Sequence, residues 1–290
     1  MDGFLCIDKP RGPSSFQIVN RIRRSLSVSK AGHAGTLDPQ ASGVLVVALG
    51  FATRLLRFIH SEPKVYSFKV QFGSQTDTLD SEGKLIHSGG RIPDRLEIEE
   101  IIGEFTGEQM QVPPDFSAVK VNGVRAYKLA RDGKKAALQA RLIKIFSFQM
   151  TDYNAEAGIG EFLVRCSGGT YIRTLAGDIS SKLGTFGYAT EIRRLAVGQF
   201  SIENSIDPQD LSDVRNYIIS PSELFRSYPV FHVPADRSRC IKNGMDIDIK
   251  SDSGSDVVFA YCGNVLIAVL QRKEGTVFHP VTVLPFEVNK

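Results

Sequence analysis

The sequence predicts an α+β fold with a smaller β-rich tail, and two observations carry that expectation. Stretches with helical and with strand periodicity follow one another without strict βαβ alternation. The long helical patterns also stop near Tyr228-Pro229, and from Val230 onward short apolar runs are cut by Gly and Asp turns.

Taken in order, Gly3 to Ile7 is expected as a strand, and the turn at Lys9-Pro10 leads to a helix beginning near Ser14. Phe16, Val19, Ile22 and Leu26 fall at helical spacing and form its apolar face, while Arg21, Arg23 and Arg24 face outward. The apolar run Val44 to Leu49 reads as a buried strand, and Phe51 to Ile59 as an amphipathic helix. Tyr66, Phe68, Val70 and Phe72 alternate with polar residues, the pattern of a strand with one buried face. A helix is expected from Leu96 to Phe105, strands near Leu142–Tyr153 and Glu161–Ser167, and a helix from about Tyr171 to Leu183. In the tail, Phe259–Tyr261 and Val265–Leu270 flank Cys262-Gly263-Asn264 and predict a hairpin. No internal repeat or low-complexity linker interrupts the chain.

With 290 residues, 42% hydrophobic and 23% charged, the chain can bury one large domain plus a smaller one. The apolar run Phe4–Ile7 lies between Asp2 and Asp8 and lacks the basic flank and length of a signal peptide. The longest apolar run, around Val44 to Ala52, is too short to cross a bilayer, so no membrane association and a cytoplasmic location are expected. Cys6, Cys166, Cys240 and Cys262 are scattered, with no Cys-x-x-Cys pair and no His at metal-ligand spacing. Reduced thiols are expected, with no metal. The glycine-rich stretches lack the nucleotide-cradling arrangements, so no cofactor is expected either.

Charge is unevenly distributed. Residues 1–60 carry eight Lys/Arg against three Asp, and 117–144 carry eight against one, while 201–290 carry nine against twelve Asp/Glu. Clustered basic segments are what a phosphate backbone attracts.

The most informative segment is Gly32 to Leu45, which sets Asp38 on a glycine-bounded turn ahead of the apolar strand. Gly32, Gly35 and Gly43 permit tight backbone or close approach of a ligand, and Pro39 fixes φ just after Asp38. Asp38-Pro39 alone reads as a helix start, the carboxylate capping free N–H groups. The whole stretch resembles instead the catalytic motif of the TruB family of tRNA pseudouridine synthases, Gly-His-x-Gly-x-Leu-Asp-Pro-x-Ala-x-Gly, with every fixed position present. Four further segments resemble the family in order: Asp8-Lys9-Pro10-Arg11-Gly12-Pro13-Ser14-Ser15, with Ser14 where Thr is usual; Pro113-Pro114 through Ser117, Lys120, Gly123, Ala126-Tyr127 and Ala130-Arg131; Gly169-Thr170-Tyr171-Ile172-Arg173; and Arg193-Arg194-Leu195 with Val197-Gly198.

That resemblance implies a catalytic domain over residues 1–229, built on a mixed, largely antiparallel sheet flanked by helices. It implies a basic RNA-gripping insertion at about 115–145 and a PUA-like RNA-binding domain over 230–290. The implied activity is isomerisation of uridine 55 in the T loop of tRNA, with tRNA as the partner, no obligate protein partner and a monomeric state. Asp38 is implied as the nucleophile, attacking C1′ or C6 of a flipped uridine, and Arg173 as the cation that keeps it charged. Tyr66 is implied as the ring against the target base, Leu195 as the apolar floor, and Tyr171 as either pocket wall or packing. His33 is implied to stack in the vacated space. Lys9, with Pro10, is implied to support the loop and to contact a phosphate. Two other readings stand beside this one: an RNA-binding or RNA-folding module without the chemistry, and a carboxylate-based glycoside hydrolase. The latter needs a second catalytic carboxylate, and no second acidic motif announces one.

Overall fold

Ser14 starts the first helix as its side chain dictates. Its hydroxyl accepts the N–H of Gln17 while the Gln17 side chain accepts the N–H of Ser14, a capping box. The computed structural model, which describes residues 1–60, 62–117, 119–121, 123–133, 137–249 and 254–286, begins with strand β1 (Gly3–Lys9) and that helix, α1 (Ser15–Ser25). The buried stripe of α1 is Ser15, Ile18, Val19 and Ile22, followed by Leu26. Phe16, expected on the core face, is 68% exposed, because the stripe that meets the sheet passes through Ser15 and leaves Phe16 one position off it.

After β2 (Ala31–Ala34) and β3 (Ser42–Leu49), Gly50 at φ +57 reverses the chain. The helix expected over Phe51–Ile59 is split: Gly50–Leu55 winds as a 3-10 turn, and only α2 (Leu56–His60) is α-helical. Strand β4 (Lys64–Phe72) buries every second residue, as its alternation predicts. Two short strands, β5 (Gln75–Thr76) and β6 (Leu85–His87), bracket a loop, and α3 (Arg95–Ile102) leads to β7 (Gly107–Gln111). The basic segment holds β8 (Lys120–Val121), β9 (Val124–Arg125) and α4 (Ala126–Arg131); Lys134 and Lys135 lie outside the described residues. Then come β10 (Arg141–Asn154), β11 (Ile159–Cys166), α5 (Ile172–Lys182), β12 (Gly187–Val197) and β13 (Phe200–Ser201).

Among the described residues nine of these strands form one mixed sheet in the order β1-β3-β12-β4-β11-β10-β7, with β2 on β3 and β13 on β12, while β5 pairs with β6 and β8 with β9 in two small ribbons. All its pairings are antiparallel except β3 with β12, where Ser42 faces Arg193 and Gly43 faces Arg194. That junction needs glycine: Gly43 has φ +102, and a Cβ there would lie 2.1 Å from the Arg194 carbonyl oxygen. It sets the end of the Asp38 loop directly against the middle of the sheet.

The tail follows α6 (Pro221–Leu224) and contains β14 (Val230–His232), α7 (Ser238–Lys242), β15 (Ile247–Asp248), β16 (Val257–Cys262), β17 (Val265–Glu274) and β18 (Val277–Val283). They form a second sheet, ordered β14-β16-β17-β18-β15, and β16 and β17 are the expected hairpin. Alternation along β16 divides its contacts. Val258 and Ala260 enter a core of the tail's own, whereas Phe259 and Tyr261 join a cluster with Phe4, Val46, Leu55 and Phe225 of the preceding part. The chain is thus α+β with a β-rich tail seated on it. Cys6 and Cys166 are buried, Cys240 and Cys262 half-buried, and all four are free. Among the described residues no helix is long and apolar enough to cross a membrane.

Candidate active site

The loop from Gly35 to Ala41 joins β2 to β3, and its conformation decides what Asp38 is free to do. No helix starts there. The turn closes with the Ala41 N–H donating to the Asp38 carbonyl at 3.1 Å, so the carboxylate is not engaged in capping. The loop is pinned before and after Asp38. Ser15 Oγ donates to the Leu37 carbonyl at 2.9 Å and accepts the Leu37 N–H at 2.8 Å. Lys9 Nζ donates to the carbonyls of Ala41 at 2.7 Å, Pro10 at 2.8 Å and Pro39 at 3.3 Å.

Lys9 is fully buried, and desolvation pushes its ammonium down to about 8. The phosphate contact expected of it is therefore corrected: all three of its protons point at backbone oxygens beneath the loop.

Arg173, on the first turn of α5, is only 4% exposed, unlike a surface arginine. Its Nε lies 2.9 Å from Asp38 Oδ2 and its Nη1 3.3 Å from Asp80 Oδ2. Nη1 also donates to the Thr78 carbonyl at 3.0 Å, and Nη2 to the Phe116 carbonyl at 2.9 Å. A second carboxylate thus does stand beside Asp38, although no acidic motif announced it. Asp80 is itself occupied, its Oδ1 accepting the Thr78 hydroxyl at 2.6 Å and the Glu82 N–H at 3.0 Å. This leaves it as an anchor for Arg173 and not a base facing solvent. The Asp38 side chain is 43% open toward the cleft, while protein crowding its other sides pushes its pKa up. Arg173 pulls the pKa down again and Asp80 opposes that pull.

The cleft in front of Asp38 has a volume of about 320 Å³, enough for one nucleoside-sized group. Tyr66, Tyr171 and Arg173 line it together with Asp38, so four of the residues singled out in the sequence converge. Tyr66 is buried on β4, in register with Arg194 across the strand pair. Tyr171 is fixed by Gln111, whose side chain accepts the Tyr171 N–H at 2.8 Å and donates to its carbonyl at 3.1 Å. Ser117 also lines the cleft, its Oγ buried with no partner at hydrogen-bond geometry among the described residues; burial pushes the Tyr171 phenol up, and Arg141, then Ser117, oppose that push.

Besides Lys9, two predicted residues are not among the described lining residues. His33 sits on β2 with a buried, unpartnered Nδ1, and burial, then Arg194 and His60, lower its pKa. Leu195 lies in a bulge of β12 between Arg194 and Ala196, where the strand loses its alternation. The apolar wall from β12 is Ile192 instead, two residues before Arg194 and on the same side of the strand. Sequence reasoning also missed Lys64, Arg194 and His60, which line the cleft. Strand parity could have found Lys64, which precedes Tyr66 by two in β4, and, once Arg194 is placed, Ile192 two before it in β12.

Residues 23–172 match the family described as TruB family pseudouridylate synthase (N terminal domain). The tRNA pseudouridine synthase B of Aquifex aeolicus (strain VF5) is 39% identical over 280 residues, covering 95% of this chain and 97% of the relative. That of Rickettsia bellii (strain RML369-C) is 44% identical over 285 residues, covering 97% of each. Of solved structures, an H/ACA RNP bound to a substrate RNA containing 2′-deoxyuridine shares the fold, with a TM-score of 0.75 at 23% identity over 98% of this chain and 85% of that one. A Cbf5-Nop10-Gar1 complex gives a TM-score of 0.74 at 25% identity over 97% and 84%. With its motifs on one cleft and relatives matched along nearly their whole length, the chain belongs to the TruB family of pseudouridylate synthases.

Proposed function

We propose that this protein converts uridine to pseudouridine in tRNA, at position 55 of the T loop, and that Asp38 carries the chemistry. The observation that supports this most directly is the Asp38 carboxylate itself, gripped from behind by Arg173 and open in front to a cleft walled by Tyr66 and Tyr171. A uridine stacked in an RNA loop must be flipped out to reach it, at a cost of a few kcal/mol. The Tyr66 ring gives the extruded base a stacking surface, and Ile192 and Leu37 offer apolar wall.

Asp38 attacks C1′ or C6 of the flipped nucleotide, and the bond between N1 and C1′ breaks. The detached uracil turns over within the cleft, C5 joins C1′, and as Asp38 is released C5 loses its proton to solvent while N1 takes one up, so the product is an isomer of the substrate. Arg173 favours the ionised form of Asp38 before attack and again on its release, and leaves its other oxygen for the substrate. Residues 1–229 act as the catalytic unit, the basic segment at about 115–145 grips RNA, and 230–290 form a PUA-like RNA-contacting unit. The protein works on tRNA in the cytoplasm as a monomer without an obligate protein partner.

Incubation with an unmodified tRNA transcript, followed by nucleoside analysis and mapping, tests the reading. Pseudouridine at a single T-loop position is expected. An unchanged transcript indicates a binding protein, and free uracil with an abasic sugar indicates a hydrolase; either result sinks the proposal.

A further inference from the structure

The wall of the cleft beside Tyr66 gathers cations that Asp38 does not use. Lys64 is 3% exposed and Arg194 1%, yet both line the cleft. Arg194 donates from Nε to the Val44 carbonyl at 2.7 Å and from Nη2 to the Gly35 carbonyl at 3.0 Å, while Nη1 meets only the Tyr66 hydroxyl, at 3.5 Å. Lys64 Nζ donates to the carbonyls of His60 and Glu62, each at 2.8 Å, which leaves its third proton for another acceptor. Among the described residues neither side chain has a carboxylate within ion-pair distance. Asp38 and Asp80 are held by Arg173, and the Glu62 carboxylate accepts the Tyr228 hydroxyl.

These groups converge on one spot. A Cβ placed on Gly35 would lie 3.3 Å from Arg194 Nη1, 3.6 Å from Lys64 Cε and 3.8 Å from His60 Nδ1, so the missing side chain leaves a small recess bordered by the Arg194 guanidinium, the His60 ring and the last methylene of Lys64. Gly168 closes in on the same ammonium, where a Cβ would lie 3.2 Å from Lys64 Nζ. The groups also repel: burial, then Lys64 and Arg194, push the His60 imidazole below its usual range, and burial, then Arg194, push Lys64 down to about 8. Hydrogen bonds to carbonyls alone do not neutralise two buried positive charges, and a desolvated cation pair with no carboxylate at ion-pair distance attracts an anion.

We infer that Lys64, Arg194 and His60 form a phosphate subsite, which holds the backbone phosphate next to the target uridine while its base lies against Tyr66. The inference rests on the tRNA reading above, because phosphate is the only anion an RNA substrate brings. A surface contact would be solvated and sequence-blind. This one is dry and within the cleft, so it fixes the flipped nucleotide relative to Asp38 and does more than add general affinity.

The test uses the full-length protein and a T-arm stem-loop RNA. A single neutral methylphosphonate replaces the phosphate 5′ or 3′ of the target uridine, in separate RNAs, and affinity is measured for the wild type, Lys64→Met and Lys64→Arg. For one of the two positions, the methylphosphonate should weaken wild-type binding about tenfold or more, the loss of one charge-assisted contact. It should weaken Lys64→Met by less than about twofold, since the contact is already gone, and Lys64→Arg should behave like the wild type. Independent effects of the two changes at both positions would overturn the inference. A parallel arm needs no RNA: inorganic phosphate, against chloride at equal ionic strength, should raise the melting temperature of the wild type and not of Lys64→Met. Should the transcript assay fail, and with it the tRNA reading, this arm still decides the site, and an absent shift removes it. A shift without coupling to the RNA phosphate would mean free phosphate only and would also overturn the assignment.

Discussion

Nε of Arg173 lies 2.9 Å from Oδ2 of Asp38, and every other arm of that guanidinium is already engaged. Thr78 and Phe116 take its Nη groups through their carbonyls, and Asp80 takes Nη1 from the far side. The arginine therefore cannot swing away when substrate arrives. Asp38 is aimed by a group whose own position is set by its helix and by two other segments of chain, around Thr78–Asp80 and at Phe116, which is how a carboxylate on a loop acquires the precision of one on a strand.

Arg173→Lys should lose most of this. A lysine has three donors at a single point, too few to serve Asp38, Asp80, Thr78 and Phe116 across the span of a guanidinium fork. Arg173→Ala should be worse, because it leaves two carboxylates facing each other without the cation, and breaking such a pair costs about 3–5 kcal/mol. The expected order of single-turnover rates is wild type, then Lys, then Ala, with RNA affinity little changed because phosphate contacts carry it. Lysine turning over at the wild-type rate would contradict the positioning role.

Asp38→Asn and Asp38→Ala should abolish pseudouridine formation while RNA binding remains. Asp38→Asn carries a second, opposite signature. The folded-state pKa of Asp38 is raised above the usual 3.8, so its favourable contribution is complete below that value and is lost as pH rises through the folded pKa. At neutral pH the ionised carboxylate costs stability, and the inactive Asp38→Asn should resist urea better than the wild type at pH 7. That advantage should shrink as the pH approaches about 4, the ordinary carboxylate range. Equal urea midpoints at pH 7 would rule out the raised pKa.

How much of this was legible in the sequence depends on whether a residue's role follows from its neighbours in the chain. The alternation of β4 fixes the burial of Tyr66, and the glycine-bounded loop marks Asp38, because both are local properties. The pocket floor was only partly local: alternation puts Ile192 on the Arg194 side of β12, whereas Leu195, next to Arg194, is not among the residues lining the cleft. Lys9 looked like a phosphate ligand because a lysine is normally exposed, and only the packing of β1 under the Asp38 loop buries it. Asp80 gave no signal, since its partner Arg173 is remote in sequence and no motif spans them.

Ser15 offers a test of the loop's second anchor. One hydroxyl satisfies both the N–H and the carbonyl of Leu37, next to Asp38, in a buried setting. Ser15→Ala leaves two buried backbone groups unpaired, which should cost about 1–3 kcal/mol in urea unfolding. It should also slow catalysis more than tenfold or so, because a carboxylate displaced by even a fraction of an ångström is misaligned. Ser14→Ala is the matched control. It removes the cap of the same helix, should cost about 1 kcal/mol, and should leave the single-turnover rate unchanged. Equal catalytic effects of the two would mean that the helix as a whole, and not the Leu37 clamp, supports the loop.

Tyr228-Pro229 marks a change of sequence pattern, but the packing runs straight across it. The Phe259 ring stacks on Phe225 with centroids 4.5 Å apart and meets Phe58 edge-on at 5.3 Å. Arg54 Nη1 donates to the Val283 carbonyl at 3.1 Å and Arg57 Nη2 to the Thr282 hydroxyl at 2.9 Å. A chain ending at residue 229 would expose the faces of Phe58 and Phe225, which are stabilised by burial in proportion to area. It should therefore aggregate or lose its near-ultraviolet circular dichroism instead of retaining slow activity. In the full chain, Phe259→Ala should cost about 3–5 kcal/mol and still give one unfolding transition, since the cluster belongs to both parts. Two separate transitions, or a well-folded fragment 1–229, would show that the contact is an interface between independent units and not a shared core.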